Sequence, residues 1–551
     1  MMAQMINRSR LVFLFLTSLI YFIYRNIIDY INIFFRDFKK FNINLKKISK
    51  DSLSKKKSAK ILVMDTVHHR LNIYTDCVII EYLKNIFHCE VTGIINKNDN
   101  QSKKFFELIN VKKNIEINEA SILEKSLHFF KAFKIINRFK STDIKKFIKF
   151  EYDNINLGKS VYEHIIRSTG KGSHTNLNAR FVNFLTDALF YKFKFNKIFK
   201  NGKFDYLVLS EVQFLPSNIL IQVALKNKVR VISRIYGPKK IGIRIYKNFN
   251  ERFQSNHKIT NELFLELSKN KIKEYSVFGF KKILAIYEKK TNNPDFFSNH
   301  VIFSQNSFKN KIDLLNHFRW DRNKKICSVF SHNMIDGSLN EEWKLFIDTK
   351  TWMEETLKII KKNGEKINWI IRPHPSEKYF PRLKTKTKDI FEEVIGKCDN
   401  IKFCPDDCAP NTIRQLSDII VTSHGSVGVE YPCFGIPSII CGDAFYSGIG
   451  FTNEPKTIPE YFEILNNIEK IIDIGLTSNQ IKLARAFYFV HDYLIQMDCP
   501  LLDEKFNISD KKNFKKFIID VNFIRKNYNF TKDQFFKKFS HQIRNNQSYF
   551  H

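Results

Sequence analysis

The sequence lacks the residue spacings that mark metal-binding, nucleic-acid-binding and repeat proteins. Its nine cysteines are scattered, no C-x-x-C pair occurs, and no histidine pair completes a zinc set beside Cys404 and Cys408. No RNA-binding aromatic motif and no concentrated basic helix is present, so nucleic acid is not an expected partner. No short-period repeat is visible. We therefore expect reduced thiols in a cytoplasmic protein that binds no nucleic acid.

The composition is that of a chain with several packed domains. Of its 551 residues, 43% are hydrophobic and 14% aromatic, which excludes a disordered chain. Lys and Arg total 90 against 56 Asp and Glu, a net charge of +34. This charge suits an anionic membrane surface or an acidic substrate, and a lysine-rich bias throughout the chain explains it equally well.

The N-terminus carries one apolar run. Leu11 to Tyr24 are apolar apart from Thr17 and Ser18, and Arg25 interrupts the run before it reaches the ~20 residues that span a bilayer. No small-residue cleavage site follows, which argues against a signal peptide. We interpret residues 1–36 as a membrane-associated segment, with a buried helix as the alternative, and residues 37–58 as a basic linker.

The remaining chain predicts an α/β fold. Strand–helix–strand patterns begin at Ala59 and again near residue 300, which is typical of parallel sheets. They predict two Rossmann-like domains facing a cleft, at 59–300 and 301–480. Residues 481–551 form a helical segment that either packs back onto the first domain or forms a tail.

The first chemical cluster is Arg372-Pro373-His374-Pro375. It follows the buried run INWII, and ligands in open α/β sheets collect beyond the carboxyl ends of the strands. The two prolines restrict the backbone around Arg372 and His374. Arginine pairs with phosphate bidentately, and histidine donates to phosphate or acts as a general acid. A rigid turn with a satisfied histidine is the structural alternative.

The second cluster is TSHGSVGVE, residues 422–430, which joins a strand to a helix. Gly425 and Gly428 allow close backbone approach, and the helix N-terminus is suited to an anion. Glu430 lies one turn beyond Ser426, where a carboxylate is placed to accept bonds from ribose hydroxyls. A capping box is the alternative, although that motif spaces its Glu by three. The residues of this cluster that we predict to bind the ligand are Ser423, His424, Gly425, Ser426 and Glu430.

These stretches carry a family resemblance. VFSHNMIDG, LFIDTKTWMEETL, NWIIRPHPSE and the segment from TSHGSVGVE to GFTNEP resemble the capsule-polysaccharide biosynthesis proteins, which include Kdo transferases and are related to bacterial sialyltransferases. The resemblance covers residues 325–460 and is weaker over 59–300. It implies a GT-B fold with the nucleotide sugar between two Rossmann-like domains.

The resemblance also implies roles for individual residues. His374 and Pro375 match the family's HP motif, which contacts the donor phosphate. Ser423 and Ser426 match its hydroxyl and glycine loop, and Glu430 matches the glutamate that follows. Arg372 departs from the lysine expected at its position but keeps the charge.

Transfer to a sugar hydroxyl needs a base, and acidic residues follow two predicted strands. We favour Glu211 after FDYLVLS and Asp65 after the first strand as catalytic residues, together with His374. The weaker candidates are His68, His69, His332 and Asp336. The sequence contains no D-x-D, so we expect no metal.

The predicted function is glycosyl transfer in bacterial capsular polysaccharide synthesis, at the cytoplasmic face of the inner membrane. The donor is a nucleotide sugar, a CMP-sugar by family analogy, and the acceptor is a glycan or a lipid-linked sugar. No other cofactor is expected. Expected partners are the membrane surface and a polysaccharide assembly complex. The alternatives are a UDP-GlcNAc epimerase-like enzyme, a CDP-glycerol-type phosphotransferase and a noncatalytic assembly or export partner.

Overall fold

The computed structural model describes most of the chain. The described residues are 2–37, 58–65, 70–96, 99–111, 113–117, 122–235, 240–288, 308, 310–337, 344–406, 408–502 and 528–549. All nine cysteines lie in these ranges, which contain no disulfide. His68 and His69, and nearly all of the basic linker at 37–58, lie outside them.

The first lobe is built on a seven-stranded sheet with the order β14-β8-β7-β6-β1-β2-β3. The strands from β7 to β3 are parallel, whereas β8 and β14 add an antiparallel edge. The strands are β1 (Ser58–Met64), β2 (His88–Ile95), β3 (Lys113–Glu116), β6 (Tyr206–Val208), β7 (Arg230–Ile235), β8 (Lys240–Tyr246) and β14 (Met497–Asp498), with a separate hairpin of β4 (Glu151–Tyr152) and β5 (Ile155–Asn156).

The strands of this sheet are buried along most of their length, because helices cover both of its faces. The helices in this part of the chain are α1 (Met2–Asp37), α2 (Arg70–Ile86), α3 (Asn100–Leu108), α4 (Ile122–Ile136), α5 (Ile144–Ile148), α6 (Leu157–Thr169), α7 (Ala179–Asn201), α8 (Ser217–Lys226), α9 (Asn261–Leu267) and α10 (Ile272–Tyr287).

The second lobe is built on a five-stranded parallel sheet with the order β11-β10-β9-β12-β13. Its strands are β9 (Ile326–Phe330), β10 (Asn368–Arg372), β11 (Ile401–Phe403), β12 (Ile419–Thr422) and β13 (Ser438–Ile440). Its helices are α11 (Lys311–Phe318), α12 (Thr349–Asn363), α13 (Thr387–Val394), α14 (Pro410–Leu416), α15 (Val427–Glu430), α16 (Ile458–Asn466) and α17 (Ile468–Ile474).

The end of the chain returns to the first lobe. Helix α18 (Ser478–Phe489) packs against α10, so closely that a Cβ on Gly279 would collide with the Arg485 carbonyl. Strand β14 then pairs with β8, and α19 (Gln534–Arg544) packs on α2. The hydroxyl of Tyr82 on α2 donates to Asp533 at 2.6 Å, at the start of α19.

Specific contacts join the two lobes. Tyr162 on α6 donates to the Asp348 carboxylate at 2.7 Å, and Asp348 also caps α12. Lys258 forms a buried ion pair with Asp443 at 2.6 Å. The chain therefore has a GT-B-like α/β fold, in which two lobes with largely parallel sheets pack together and an apolar helix precedes the first.

Candidate functional site

Three histidines lie side by side at the carboxyl ends of adjacent strands. His374, His332 and His424 each stand two residues beyond the end of β10, β9 and β12. The strand register pairs Phe330 with both Arg372 and Thr422, so residues two positions further along fall next to one another. The ring centroid of His332 is 5.4 Å from that of His374 and 4.0 Å from that of His424. We call these residues the three-histidine cluster.

The electrostatics of the cluster keep at least two of its rings neutral. Burial holds the pKa of His332 well below its usual range, and the neighbouring His424 and His374 lower it further. Burial, the Lys344 ammonium and His374 do the same to the pKa of His424. A neutral imidazole keeps one N–H donor and one acceptor, so the cluster can donate to an anion without being charged beforehand.

Local hydrogen bonds set the orientation of His374. Its Nδ1 accepts from the Ser376 backbone N–H at 3.2 Å, and the Ser376 hydroxyl lies 2.7 Å from the same nitrogen. The Asn333 side chain in turn donates to the Ser376 hydroxyl at 2.9 Å. Because Nδ1 accepts from a backbone N–H, the neutral ring carries its proton on Nε2. Pro375 begins the short 3₁₀ turn, Pro375–Tyr379, that places Ser376 there.

A basic pocket of about 210 Å³ adjoins His374. Lys378, Lys386 and Lys388 line it together with Arg372. No motif marked these lysines in the sequence, because Lys378 lies within the Pro375–Tyr379 turn and Lys386 and Lys388 lie at the start of α13, not at a strand end. Their charge favours an anionic ligand beside His374.

The Arg372 guanidinium has a protein partner. It donates to the Cys408 carbonyl at 3.3 and 3.2 Å, and one of its nitrogens lies 3.6 Å from the Cys404 sulfur. These contacts tie β10 to the loop before α14. The predicted role of Arg372 as a phosphate ligand therefore competes with a structural one.

The 422–430 loop is tighter than its sequence predicts. Helix α15 has only four residues, and the amides of Gly428, Val429 and Glu430 donate to the carbonyls of Gly425 and Ser426. Those amides are thus engaged within the turn, which leaves the helix N-terminus a smaller anion site than expected. The Ser423 hydroxyl lies 3.0 Å from His424 Nδ1, and Ser426 is exposed.

Close packing fixes this loop. The hydroxyl of buried Tyr446 donates to the Gly425 carbonyl at 2.6 Å, and a Cβ on Gly428 would collide with that hydroxyl. Glu430 is half-buried and accepts from Tyr287 on α10 at 2.6 Å. One of its carboxylate oxygens is therefore bonded within the protein, and a ribose contact remains a prediction.

Acidic side chains occupy the carboxyl edge of the first sheet. Asp65 follows β1 and accepts from the Ser102 hydroxyl at 2.8 Å. Asp76 on α2 accepts from the Ser210 hydroxyl, and Glu211 comes just after β6. We call Asp65, Asp76 and Glu211 the acidic edge.

Burial raises the pKa values of two carboxyls of the acidic edge. The pKa of Asp76 rises to about 7, chiefly through desolvation, although Ser210 and Arg234 oppose the shift. Desolvation also raises the pKa of Glu211, and the charge of Asp336 adds to the effect. A carboxyl with a raised pKa is a stronger base than an exposed one, which is the property that proton abstraction needs.

The acidic edge adjoins the second lobe. Asp336 lies in the loop after β9, and its charge contributes to the raised pKa of Glu211. Arg167 on α6 forms an ion pair with Asp336 at 2.8 Å. A Cβ on Gly337 would approach the Gln213 side-chain amide oxygen to 2.5 Å. Asp336 and Gly337 lie four and five residues after His332, so the loop that begins with His332 contacts the loop that contains Glu211 and Gln213. Asp336 serves here as an interlobe contact.

Sequence reasoning missed Asp76, Ser210, Arg234 and Lys344. Asp76 sits in an apolar helix and had no motif, and Arg234 is buried within β7. Among the described residues, no group of three or more His, Cys, Asp or Glu is arranged to hold a metal ion.

Two comparisons of the sequence found no match. No protein-family profile matches the chain. No curated protein matches it either.

Solved structures of similar fold include glycosyltransferases and a UDP-GlcNAc 2-epimerase. The β-Kdo 2,4-transferase KpsC of Thermosulfurimonas dismutans is 12% identical, with a TM-score of 0.34 over 51% of this chain and 79% of that one. A glycosyltransferase of Rickettsia africae is 11% identical, with a TM-score of 0.26 over 85% and 99%. The UDP-GlcNAc 2-epimerase of Neisseria meningitidis is 12% identical, with a TM-score of 0.24 over 80% and 98%. At these scores the fold class rests on the chain's own two sheets.

Proposed function

We propose that the chain is a nucleotide-sugar-dependent glycosyltransferase of bacterial surface-polysaccharide synthesis. One observation carries the proposal: the three-histidine cluster and the acidic edge lie at the carboxyl ends of two sheets whose loops meet at Gly337 and Gln213. Ligands of open α/β sheets bind at such edges. The sequence resemblance to capsule-polysaccharide proteins supplies the reaction class.

The two sets of side chains suit the two halves of a glycosyl transfer. The donor's phosphate leaves with the electron pair of the broken sugar–oxygen bond, and His374 Nε2–H with the flanking lysines is placed to receive that charge. The acceptor hydroxyl loses its proton as its oxygen bonds to the anomeric carbon, and Glu211 is the base we assign to that proton. We propose a CMP-sugar as donor on the resemblance alone.

A nucleotide screen tests the proposal. Purified full-length protein is melted with CMP, CDP, UDP and GDP, then assayed for release of nucleotide from the matching sugar donor. A nucleotide at 100 times its Kd adds about 2.7 kcal/mol to the free energy of unfolding, which is readily seen as a rise in Tm. We expect CMP to give the largest rise. If no nucleotide raises the Tm and no donor is consumed, the proposal fails.

A further inference from the structure

Helix α1 exposes a stripe of large apolar side chains. Phe13 is 71% exposed and Ile20 66% exposed, and the stripe runs along one face of the helix. Its main members are Phe13, Leu16, Ile20, Ile23, Tyr24 and Ile27. Exposed apolar side chains at this density mark an interaction surface rather than an ordinary soluble face.

A second stripe on α4 continues that surface. Leu123 is 71% exposed, Leu127 64% and Phe130 49%, at the i, i+4, i+7 spacing of one helix face. Phe130 stacks beside Phe15 of α1, with 6.3 Å between ring centroids, so the two stripes are neighbours. Phe193 on α7 is 46% exposed and adjoins α4 through His128.

Helix α1 is fastened to the lobe by its opposite face. Its Ser18 is fully buried, and the Asn183 side chain on α7 donates to the Ser18 carbonyl at 3.1 Å. Arg25 pairs with Asp187 at 2.8 Å and lies over the Phe184 ring. The Ser9–Ile27 stretch is apolar enough to cross a membrane by composition, but crossing would break these contacts. These contacts hold α1 against α7 of the first lobe.

The charges around the stripes are strongly positive. Residues 9–27, 123–136 and 179–201 contain ten Lys and Arg but two Asp and Glu. Both acids are paired, Asp187 with Arg25 and Glu124 with Lys194 at 3.3 Å. Lys192 is buried and pairs with Asp153 at 3.0 Å, so seven of the ten cations lie outside these ion pairs. The exposed face of α4 continues from Phe130 to Lys134, one turn further along.

We propose that the exposed faces of α1, α4 and α7 form one monotopic docking surface for an anionic lipid bilayer. The apolar stripes enter the interface, and the surrounding cations meet lipid phosphates, as an in-plane amphipathic helix does. A second copy of the chain is a poor occupant, because two such cationic faces repel each other. This docking is independent of glycosyl transfer.

Co-sedimentation of the full-length protein with vesicles tests the surface. We expect binding to vesicles of phosphatidylcholine mixed with phosphatidylglycerol, weaker binding to phosphatidylcholine alone, and loss of binding in high salt. Leu127→Glu and Ile20→Glu should each weaken binding about tenfold or more. Ile474→Glu is the matched control, since Ile474 is 81% exposed in the second lobe. It should bind like the parent.

The Leu127→Glu variant distinguishes docking by the three-helix surface from insertion of α1 alone, because Leu127 lies on α4. If Leu127→Glu binds as tightly as the parent while Ile20→Glu does not, α1 acts alone and the three-helix surface is wrong. The proposal also fails if the parent ignores anionic vesicles, or if it is a dimer that Leu127→Glu converts to monomers. Nucleotide-induced Tm shifts of the variants should equal the parent's, so the docking result stands apart from the enzymatic one.

Discussion

The imidazoles of His332 and His424 lie with their ring centroids 4.0 Å apart, on loops that leave neighbouring strands. Burial and the neighbouring His424 lower the pKa of His332, and burial and the Lys344 ammonium lower the pKa of His424. An anion placed between them would reverse that balance, because it favours the charged imidazolium. We therefore expect ligand binding and proton uptake to be coupled at this cluster.

Nucleotide affinity should rise as the pH falls. In the unliganded protein the pKa values of His332 and His424 lie well below the usual 6.5. A bound phosphate raises them, so between the free and bound pKa values binding takes up protons and tightens by up to about tenfold per pH unit for each proton. Calorimetric titration from about pH 7.5 down to about pH 5 measures this slope. His332→Asn should flatten it, and an equal slope in both proteins would contradict the coupling.

His374→Ala should weaken nucleotide binding about ten- to a hundredfold. It removes a positioned N–H donor to phosphate, worth roughly 1.5–3 kcal/mol when the acceptor is charged. His317→Ala is the control, because His317 is an exposed histidine of the same lobe. Affinity and Tm are measured together. An unchanged affinity with an unchanged Tm would remove His374 from the site.

Glu211→Gln should lower turnover by about 10²–10⁴ and leave nucleotide affinity nearly unchanged, since loss of a general base affects the chemical step. Acidification protonates the base and so removes activity in the parent protein. Because the pKa of Glu211 is raised, this loss should begin at a higher pH than it would for an exposed glutamate. Steady-state assays across pH check both points. Glu365→Gln, at an exposed position, is the matched control. A variant that retains full turnover would exclude Glu211 as the base.

Asp76→Asn should stabilise the protein most at neutral and alkaline pH. The pKa of Asp76 is 3.8 when exposed and about 7 when folded, so the folded state holds an extra proton between these values. The parent therefore loses stability relative to the variant as pH rises through this window, by up to about 1.4 kcal/mol per unit, and the difference levels off above about 7. Denaturant unfolding at several pH values measures it, with exposed Asp321→Asn as control. A pH-independent difference would show that Asp76 is ionised throughout.

The strands that carry the site could be predicted from the sequence because they are short, buried apolar runs. The runs INWII and SDIIVTS placed His374 and His424 at strand ends, and the run KKICSVF placed His332 just after another strand. What the sequence could not show was the order of those strands in the sheet. Only the order β10-β9-β12 and its register turn three separate histidines into one cluster.

Other features of the site depend on distant contacts. The Arg372 guanidinium finds its partner at Cys408, and Glu430 finds Tyr287 on α10, so spacing along the chain gave no sign of either bond. Pro432 follows α15 almost at once and helps keep it to one turn, since proline cannot continue a helix interior. The sequence predicted a helix after the loop and an N-terminus open to an anion, but it gave no sign of the bonds within the turn that engage the first amides.

The return of the chain to the first sheet has a consequence for biosynthesis. Strand β8 pairs with β14, and α2 packs against Asp533 and α19. These partners are synthesised after the entire second lobe, so the contacts cannot form until then. At ribosomal speeds of ~5–20 residues per second, β8 stays uncovered for about 10–50 s. A nascent sheet edge is a template for pairing with other chains. Truncation of the chain after the second lobe would therefore remove the edge strand β14 and the helix α19 from the first lobe.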